Sequence, residues 1–271
     1  MKKFVWMLFL LFPICAAAVQ NYMAIDMHAQ NSPPLKTNNG LPKLVQYLVA
    51  PYRSDIDKAR VLLAWIVYNV SYDEYKAKHE RTMDAELEFA VERNPKTGKL
   101  ALKRGEVKFN QVQDTLQQTL KTRKGICKDI ARLYQHMGRL AGLEMELVTG
   151  YACQNVKGDA HMWVAIKVSG VWYFVDPTWA LKGYRVVVRD EQEAKRVQKK
   201  LERGADVTKM KNVSKAVADE WFMVDNDEII KTHYPFERRW QLQKGHVEFE
   251  DFLQNSCHLS FEEFLKQMDA K

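Results

Sequence analysis

The run Arg123-Lys124-Gly125-Ile126-Cys127-Lys128-Asp129-Ile130-Ala131 places a cysteine at the start of a predicted helix. Gly142 supplies the helix stop. The apolar residues share one face: Ile130, Leu133, Tyr134, Met137 and Leu140. Ile126 continues that stripe one turn earlier, so Cys127 lies off it. A helix N-terminus with cations nearby favours a nucleophilic thiolate, whereas the alternative is a small, buried apolar side chain.

A predicted hairpin around Ser169-Gly170 supplies partners for this thiol. Both residues suit a two-residue turn between alternating strands. Pairing outward from the turn places Trp163 opposite Asp176 and His161 opposite Thr178. His161 and Asp176 are then diagonal neighbours on one sheet face, about 7–8 Å apart at the backbone. A slip of one residue would put them on opposite faces.

Cys127, His161 and Asp176 are therefore the predicted catalytic residues. A thiolate attacks, an imidazole acts as base and then as acid, and a carboxylate orients the ring. The same three side chains could instead hold zinc, but the chain lacks the Cys-x-x-Cys and His-Glu-x-x-His spacings typical of such sites. The sequence predicts no metal and no cofactor.

The N-terminus has the pattern of an export signal. Lys2 and Lys3 precede an apolar run from Phe4 to Phe12, and Ala16-Ala17-Ala18 offers a cleavage site. We therefore predict a signal peptide over residues 1–18, cut near Ala18, and a secreted or periplasmic protein. The apolar run is too short to span a bilayer, and no stable membrane insertion is expected.

Composition places the rest of the chain among globular proteins. Of 271 residues, 46% are hydrophobic and 11% aromatic, enough for a sizeable core. The net charge of +7 is spread through mixed-sign stretches, and no nucleic-acid-binding motif is present, so nucleic acid is not an expected partner.

Three cysteines follow the predicted cleavage site: Cys127, Cys153 and Cys257. Cys153 and Cys257 could form a disulfide that leaves Cys127 free. The sequence equally allows two separate buried thiols.

The predicted organisation is a signal peptide, an extended lead-in over 19–53 and one domain over 54–271. The domain begins with a helix capped by Ser54. Two long charged insertions interrupt it, at about 76–110 and 189–216.

Three motifs together resemble the transglutaminase-like superfamily: Gly125-Ile126-Cys127, His161-Met162-Trp163 and Trp172-Tyr173-Phe174-Val175-Asp176-Pro177-Thr178-Trp179. The resemblance implies a papain-like α+β fold whose nucleophile begins a helix packed on an antiparallel sheet. It also assigns the triad roles to Cys127, His161 and Asp176.

The tail is similar to the kyphoscoliosis-peptidase branch of that superfamily. Trp221-Phe222, His233-Tyr234-Pro235 and Trp240-Gln241-Leu242 carry this likeness. We interpret His233 as a packing or capping residue rather than a second catalytic histidine.

These observations predict an exported cysteine-nucleophile enzyme that acts on amide bonds of a protein or peptide substrate. It would be a peptidase, an amidase or a protein-glutamine transferase, in each case through a thioester. The alternative is a non-catalytic module that binds peptide or envelope material in the same cleft. The N–H of Cys127, with Gln111 or Gln113, is the candidate oxyanion site.

Overall fold

The computed structural model describes residues 22–35, 40–79, 112–154, 157–186, 190–203, 213–242 and 247–260, with the shorter pieces 91–93, 95–96, 98, 100–102, 205, 210, 245, 262–264 and 266. A four-stranded antiparallel sheet forms the centre of the fold, and the helix that begins at Cys127 packs on it. The predicted α+β class, with the candidate nucleophile at a helix N-terminus on an antiparallel sheet, is confirmed. The predicted signal peptide (1–18) lies outside the described residues.

The described helices are α1 Met23–Gln30, α2 Leu41–Val49, α3 Asp55–Asn69, α4 Glu74–His79, α5 Val112–Thr122, α6 Cys127–Leu140, α7 Glu191–Glu202, α8 Asn226–Ile229 and α9 Phe249–Ser256. The strands are β1 Ser71–Tyr72, β2 Val91–Arg93, β3 Leu100–Leu102, β4 Lys124–Gly125, β5 Glu144–Gln154, β6 Lys157–Val168, β7 Val171–Val175, β8 Tyr184–Val186, β9 Val213–Lys215 and β10 His233–Pro235. The central sheet has the order β10-β5-β6-β7. None of the described helices is long and apolar enough to cross a membrane.

The β6–β7 hairpin forms in the predicted register. Val168 pairs with Val171, and the ladder runs out to Val175 opposite Val164. The turn residues Ser169-Gly170 have φ values of 51° and 84°. A two-residue turn with positive φ at both central positions matches the twist of the strands it joins.

The paired ladder ends at Val175, earlier than expected. Asp176 donates its N–H to the Trp221 carbonyl at 3.0 Å, and the chain then enters a 3₁₀ helix, Trp179–Lys182. The predicted pairing of Thr178 with His161 is therefore wrong in this described stretch. A proline after Asp176 explains the departure, because proline cannot donate to a ladder.

Helix α6 begins at Cys127 because Asp129 organises its first turn. The Oδ2 of Asp129 accepts the N–H of Ile126 at 3.1 Å and the Nζ of Lys76 at 2.8 Å. A carboxylate here satisfies a backbone donor that the helix leaves unpaired, and it complements the helix dipole.

The apolar face of α6 is buried from Ile130 to Met137, as predicted. Leu140 is the exception, since it closes the helix and is 42% exposed. Cys127 is only 7% exposed, yet it does not belong to the main apolar cluster.

The lead-in over 19–53 contains two helices, so the expectation of an extended segment is wrong. Helix α2 buries Leu41, Leu44, Val45 and Leu48 in the main apolar cluster. That spacing is helical, although the turn-rich residues before it dominated the sequence pattern. Helix α1 also packs on α3.

The charged insertions carry their own elements. The described part of 76–110 includes most of α4 and the antiparallel hairpin β2–β3. The described part of 189–216 contains α7, and strands β8 and β9 pair at its two ends.

A disulfide ties the tail to the central sheet. Cys153 on β5 is bonded to Cys257, which follows α9. Around it, Tyr151, Tyr234 and Phe249 belong to a second apolar cluster. The alternative of two separate thiols is thereby excluded.

Candidate active site

The structure brings the three predicted catalytic residues together. The His161 Nε2 lies 2.8 Å from Oδ2 of Asp176, and Cys127 lies near enough to the His161 ring to raise its pKa. A carboxylate only accepts, so Nε2 carries the proton toward Asp176 and Nδ1 is left for the sulfur. All three side chains are buried, Asp176 completely.

Asp176 is held by four donors. Its Oδ1 accepts the backbone N–H groups of Thr178 and Trp179 at 2.9 and 3.1 Å. Its Oδ2 accepts His161 and His233, the latter at 3.1 Å. Burial alone would raise the pKa of Asp176, but the two histidines outweigh it and hold the pKa well below its ordinary value. The carboxylate therefore stays ionised.

The environment of His161 stabilises its charged form. Burial lowers the pKa of an imidazole, yet the Asp176 carboxylate and the adjacent Cys127 raise the pKa of His161 to about 10. Two indoles enclose the ring: Trp163 lies at a centroid distance of 6.2 Å and Trp179 at 5.7 Å. The arrangement favours the imidazolium form of His161.

The β6–β7 hairpin positions two of the three side chains, His161 and Asp176. Strand β6 carries His161, and β7 delivers Asp176 just beyond its last pair. Their hydrogen bond shows that the two side chains meet, although Asp176 lies just beyond the paired ladder. Cys127 arrives from α6, which packs on β6.

His233 is a member of the site that the sequence analysis assigned to packing. It is fully buried, and β10 places it beside β5, where it pairs with Ala152. Contact with Asp176 makes the packing interpretation incomplete. The sequence signal near His233 was its place in one of the three tail motifs that resemble the kyphoscoliosis-peptidase branch. No local feature of the sequence fixes the pairing of β10 with β5, because the two strands are far apart in the chain.

Tyr72 is a second neighbour that the sequence analysis did not single out. It pairs with Gly125, two residues before the nucleophile. Burial, and then the negative charge of Cys127, raise the pKa of the Tyr72 hydroxyl above its ordinary value. Its hydroxyl therefore stays protonated and can donate a hydrogen bond.

The oxyanion candidates are only partly described. The backbone N–H of Cys127 opens a helix, where the first N–H groups have no partner within the helix. Gln111 lies outside the described residues, and the side chain of Gln113 is not described. That part of the prediction stays a prediction.

A metal could be held by a different set from the one considered above. Among the described residues, His161, Asp176 and His233 offer ligand atoms within 4.8 Å of one another. Both histidine nitrogens already donate to the Asp176 oxygen, so a cation would have to displace two protons. Cys127 is not in this set.

Comparison with known proteins agrees with the motifs. Residues 96–177 match the profile described as the transglutaminase-like superfamily. The chain is 22% identical to human kyphoscoliosis peptidase over 250 residues, covering 89% of this chain and 30% of that protein. The mouse protein of the same name is 24% identical over 230 residues, covering 82% of this chain and 27% of that protein. The chain thus spans less than a third of these relatives.

Solved structures give weaker likenesses. A TGase crystal structure has a TM-score of 0.33 at 14% identity, covering 62% of this chain and 35% of its own. The periplasmic domain of TgpA from Pseudomonas aeruginosa has a TM-score of 0.31 at 22% identity, covering 58% of this chain and 47% of its own. Over residues 96–177 this chain is therefore similar to the transglutaminase-like superfamily, in agreement with the resemblance of its motifs.

Proposed function

We propose that this protein is an exported cysteine-nucleophile enzyme that acts on amide bonds of a protein or peptide substrate. The observation that carries the proposal is the buried pair His161–Asp176 next to Cys127, the first residue of α6. A module that only binds peptide has no need of this arrangement.

Acylation follows from the arrangement of the three side chains. The Cys127 thiolate attacks the carbonyl carbon, and the negative charge moves to the carbonyl oxygen. The intermediate then collapses, the C–N bond breaks, and the Nδ1 proton of His161 passes to the leaving amine. The product is a thioester with Cys127, while Asp176 keeps the imidazole oriented.

Deacylation determines the reaction class. Neutral His161 takes a proton from an incoming nucleophile, which attacks the thioester and releases the thiolate. Water as nucleophile gives a peptidase or amidase, and an amine gives a glutamine transferase. The names of the relatives in the kyphoscoliosis-peptidase branch support hydrolysis.

Export is supported by the Cys153–Cys257 disulfide, because such bonds persist in oxidising compartments. The sequence of residues 1–18 adds a signal-peptide pattern. We expect the protein outside the cytoplasm, with a mature N-terminus just after Ala18. Mass determination of the exported chain tests this, and retention of residues 1–18 would contradict it.

Alkylation tests the enzyme proposal without a known substrate. Cys127 is the free cysteine among the described residues, so iodoacetamide reports on it directly in the chain that starts at residue 19. We expect rapid alkylation near neutral pH, abolished in Cys127→Ser and strongly slowed in His161→Ala. Reaction at the rate of an ordinary thiol, unchanged in His161→Ala, would favour the binding module.

An amine donor separates the two reaction classes. The protein is incubated with a glutamine peptide and a labelled primary amine, with Cys127→Ser as the control. Hydrolysis releases ammonia or cleaved peptide without incorporation of label. Labelled peptide would contradict a purely hydrolytic enzyme.

A further inference from the structure

The surroundings of His233 point to a specific role in the site. Its ring is completely buried, and its Nε2 lies 3.1 Å from the Asp176 Oδ2 that also bonds His161. On the other side, Nδ1 lies 2.8 Å from the Thr232 hydroxyl. Both ring nitrogens therefore have a polar partner.

These partners determine the tautomer. Asp176 only accepts, so the His233 Nε2 must carry a proton. The single hydroxyl proton of Thr232 has two acceptors within reach, Nδ1 of His233 at 2.8 Å and the Ile229 carbonyl at 3.3 Å. Donation over the shorter contact leaves Nδ1 as an acceptor in a neutral ring. Burial lowers the pKa of His233, in agreement with a neutral imidazole.

Aromatic rings fix the orientation of His233. Its centroid lies 4.5 Å from that of Trp179, 5.0 Å from Trp163 and 5.6 Å from Trp221. Strand β10 fixes its backbone through pairing with β5. The imidazole is thus a rigid N–H donor aimed at one carboxylate oxygen.

We propose that His233 is a positioning residue for the proposed reaction, because its Nε2–H holds the Asp176 oxygen that orients His161. The inference rests on the proposed function. His233 lies outside residues 96–177, the part of the chain that matches the superfamily profile.

His233 can position Asp176 because Oδ2 of the carboxylate accepts hydrogen bonds from both His161 and His233. The two backbone donors hold Oδ1 alone, so they leave the carboxylate able to turn about that contact. A second donor at Oδ2 restricts this rotation and keeps the oxygen in line with His161 Nε2. The same donor also makes the carboxylate less basic.

Two near-isosteric variants test this. His233→Gln keeps an N–H in the region of Nε2, and His233→Met fills similar volume without a donor. We measure the rate of Cys127 alkylation by iodoacetamide from pH 4 to pH 10. In His233→Met we expect an alkylation rate about ten-fold lower at neutral pH, because the variant loses one hydrogen bond to a charged group. Its acid limb should also move to higher pH.

His233→Gln should retain the rate and the pH profile. A packing role predicts the reverse order, with the apolar Met at least as good as Gln. Equal profiles in both variants, or a better one in His233→Met, would overturn the proposal.

Two controls keep the outcome interpretable. Nitrogen NMR of labelled histidine in the unmodified chain needs no variant: His233 should be neutral with its proton on Nε2, and a proton on Nδ1 alone would overturn the proposal even if His233→Met fails to fold. His161→Ala reports separately on the proposed function. Slow alkylation in the unmodified chain, unaffected by His161→Ala, refutes the enzyme proposal.

Discussion

Replacing Asp176 with Asn removes a charge from the site with little change in shape. His161 has a pKa of about 10 because Asp176 and Cys127 together outweigh its burial. Without the carboxylate, burial should bring this pKa to about 6.5 or below. At 1.36 kcal/mol per pKa unit, that fall corresponds to roughly 5 kcal/mol of lost imidazolium stabilisation.

Cys127 also stabilises the imidazolium of His161. The expected loss of Cys127 reactivity is therefore smaller than roughly 5 kcal/mol would give. We expect alkylation of Cys127 at neutral pH to slow by about 100-fold in Asp176→Asn. The alkaline limit of the proposed amide-bond cleavage, set by the proton of His161, should also move from about pH 10 toward neutral pH. Iodoacetamide kinetics across pH, with NMR titration of His161, measure both effects.

Glu144→Gln is a matched control. Glu144 lies on β5 of the same sheet, where it forms an exposed ion pair with Lys167. Its removal should leave the alkylation profile unchanged, since exposed pairs contribute little. A wild-type profile in Asp176→Asn would refute the electrostatic reasoning.

Three further predictions concern stability. Replacing Cys153 and Cys257 with Ala should lower the free energy of unfolding by about 2–5 kcal/mol; urea unfolding measures this, and an unchanged midpoint would contradict a structural disulfide. Arg60→Met leaves the buried Asp26 without its bidentate partner and should cost about 3–5 kcal/mol, while adding Asp26→Leu should recover most of the loss; a double variant no better than the single one would speak against this pair. Because burial lowers the pKa of His233, its imidazole binds a proton more readily in the unfolded chain than in the folded one. The contribution of His233 to the free energy of unfolding is therefore present above about pH 6.5 and is lost as the pH falls. His233→Gln should flatten that acid loss in urea midpoints between pH 7.5 and 5, and an equally steep loss would exclude His233 as its source.

Local signals predicted the centre of the site. The turn at Ser169-Gly170 fixes the β6–β7 register, and that register delivers Asp176 beside His161. The start of α6 at Cys127 could also be predicted, because Gly125 and the beginning of the apolar stripe mark the N-terminal end of the helix.

Long-range pairing could not be predicted in the same way. His233 reaches Asp176 because β10 pairs with β5, about 80 residues away along the chain. No turn specifies that register, and a histidine on a short strand is usually a packing residue. The lead-in helices were missed for a related reason: their stability depends on packing against α3, whereas the turn residues nearby dominate the local pattern.

The tail that follows residues 96–177 belongs to any segment that would be moved into another protein with the site intact. Residues 96–177 contain Cys127, His161 and Asp176, yet the buried Asp176 carboxylate also contacts His233, and the Asp176 N–H bonds the Trp221 carbonyl. A graft of the matched segment into another scaffold would carry the three proposed catalytic residues and leave Asp176 without its contact to His233. Chimeras built from this chain should therefore take their C-terminal boundary at Cys257, where the disulfide ties the tail to β5.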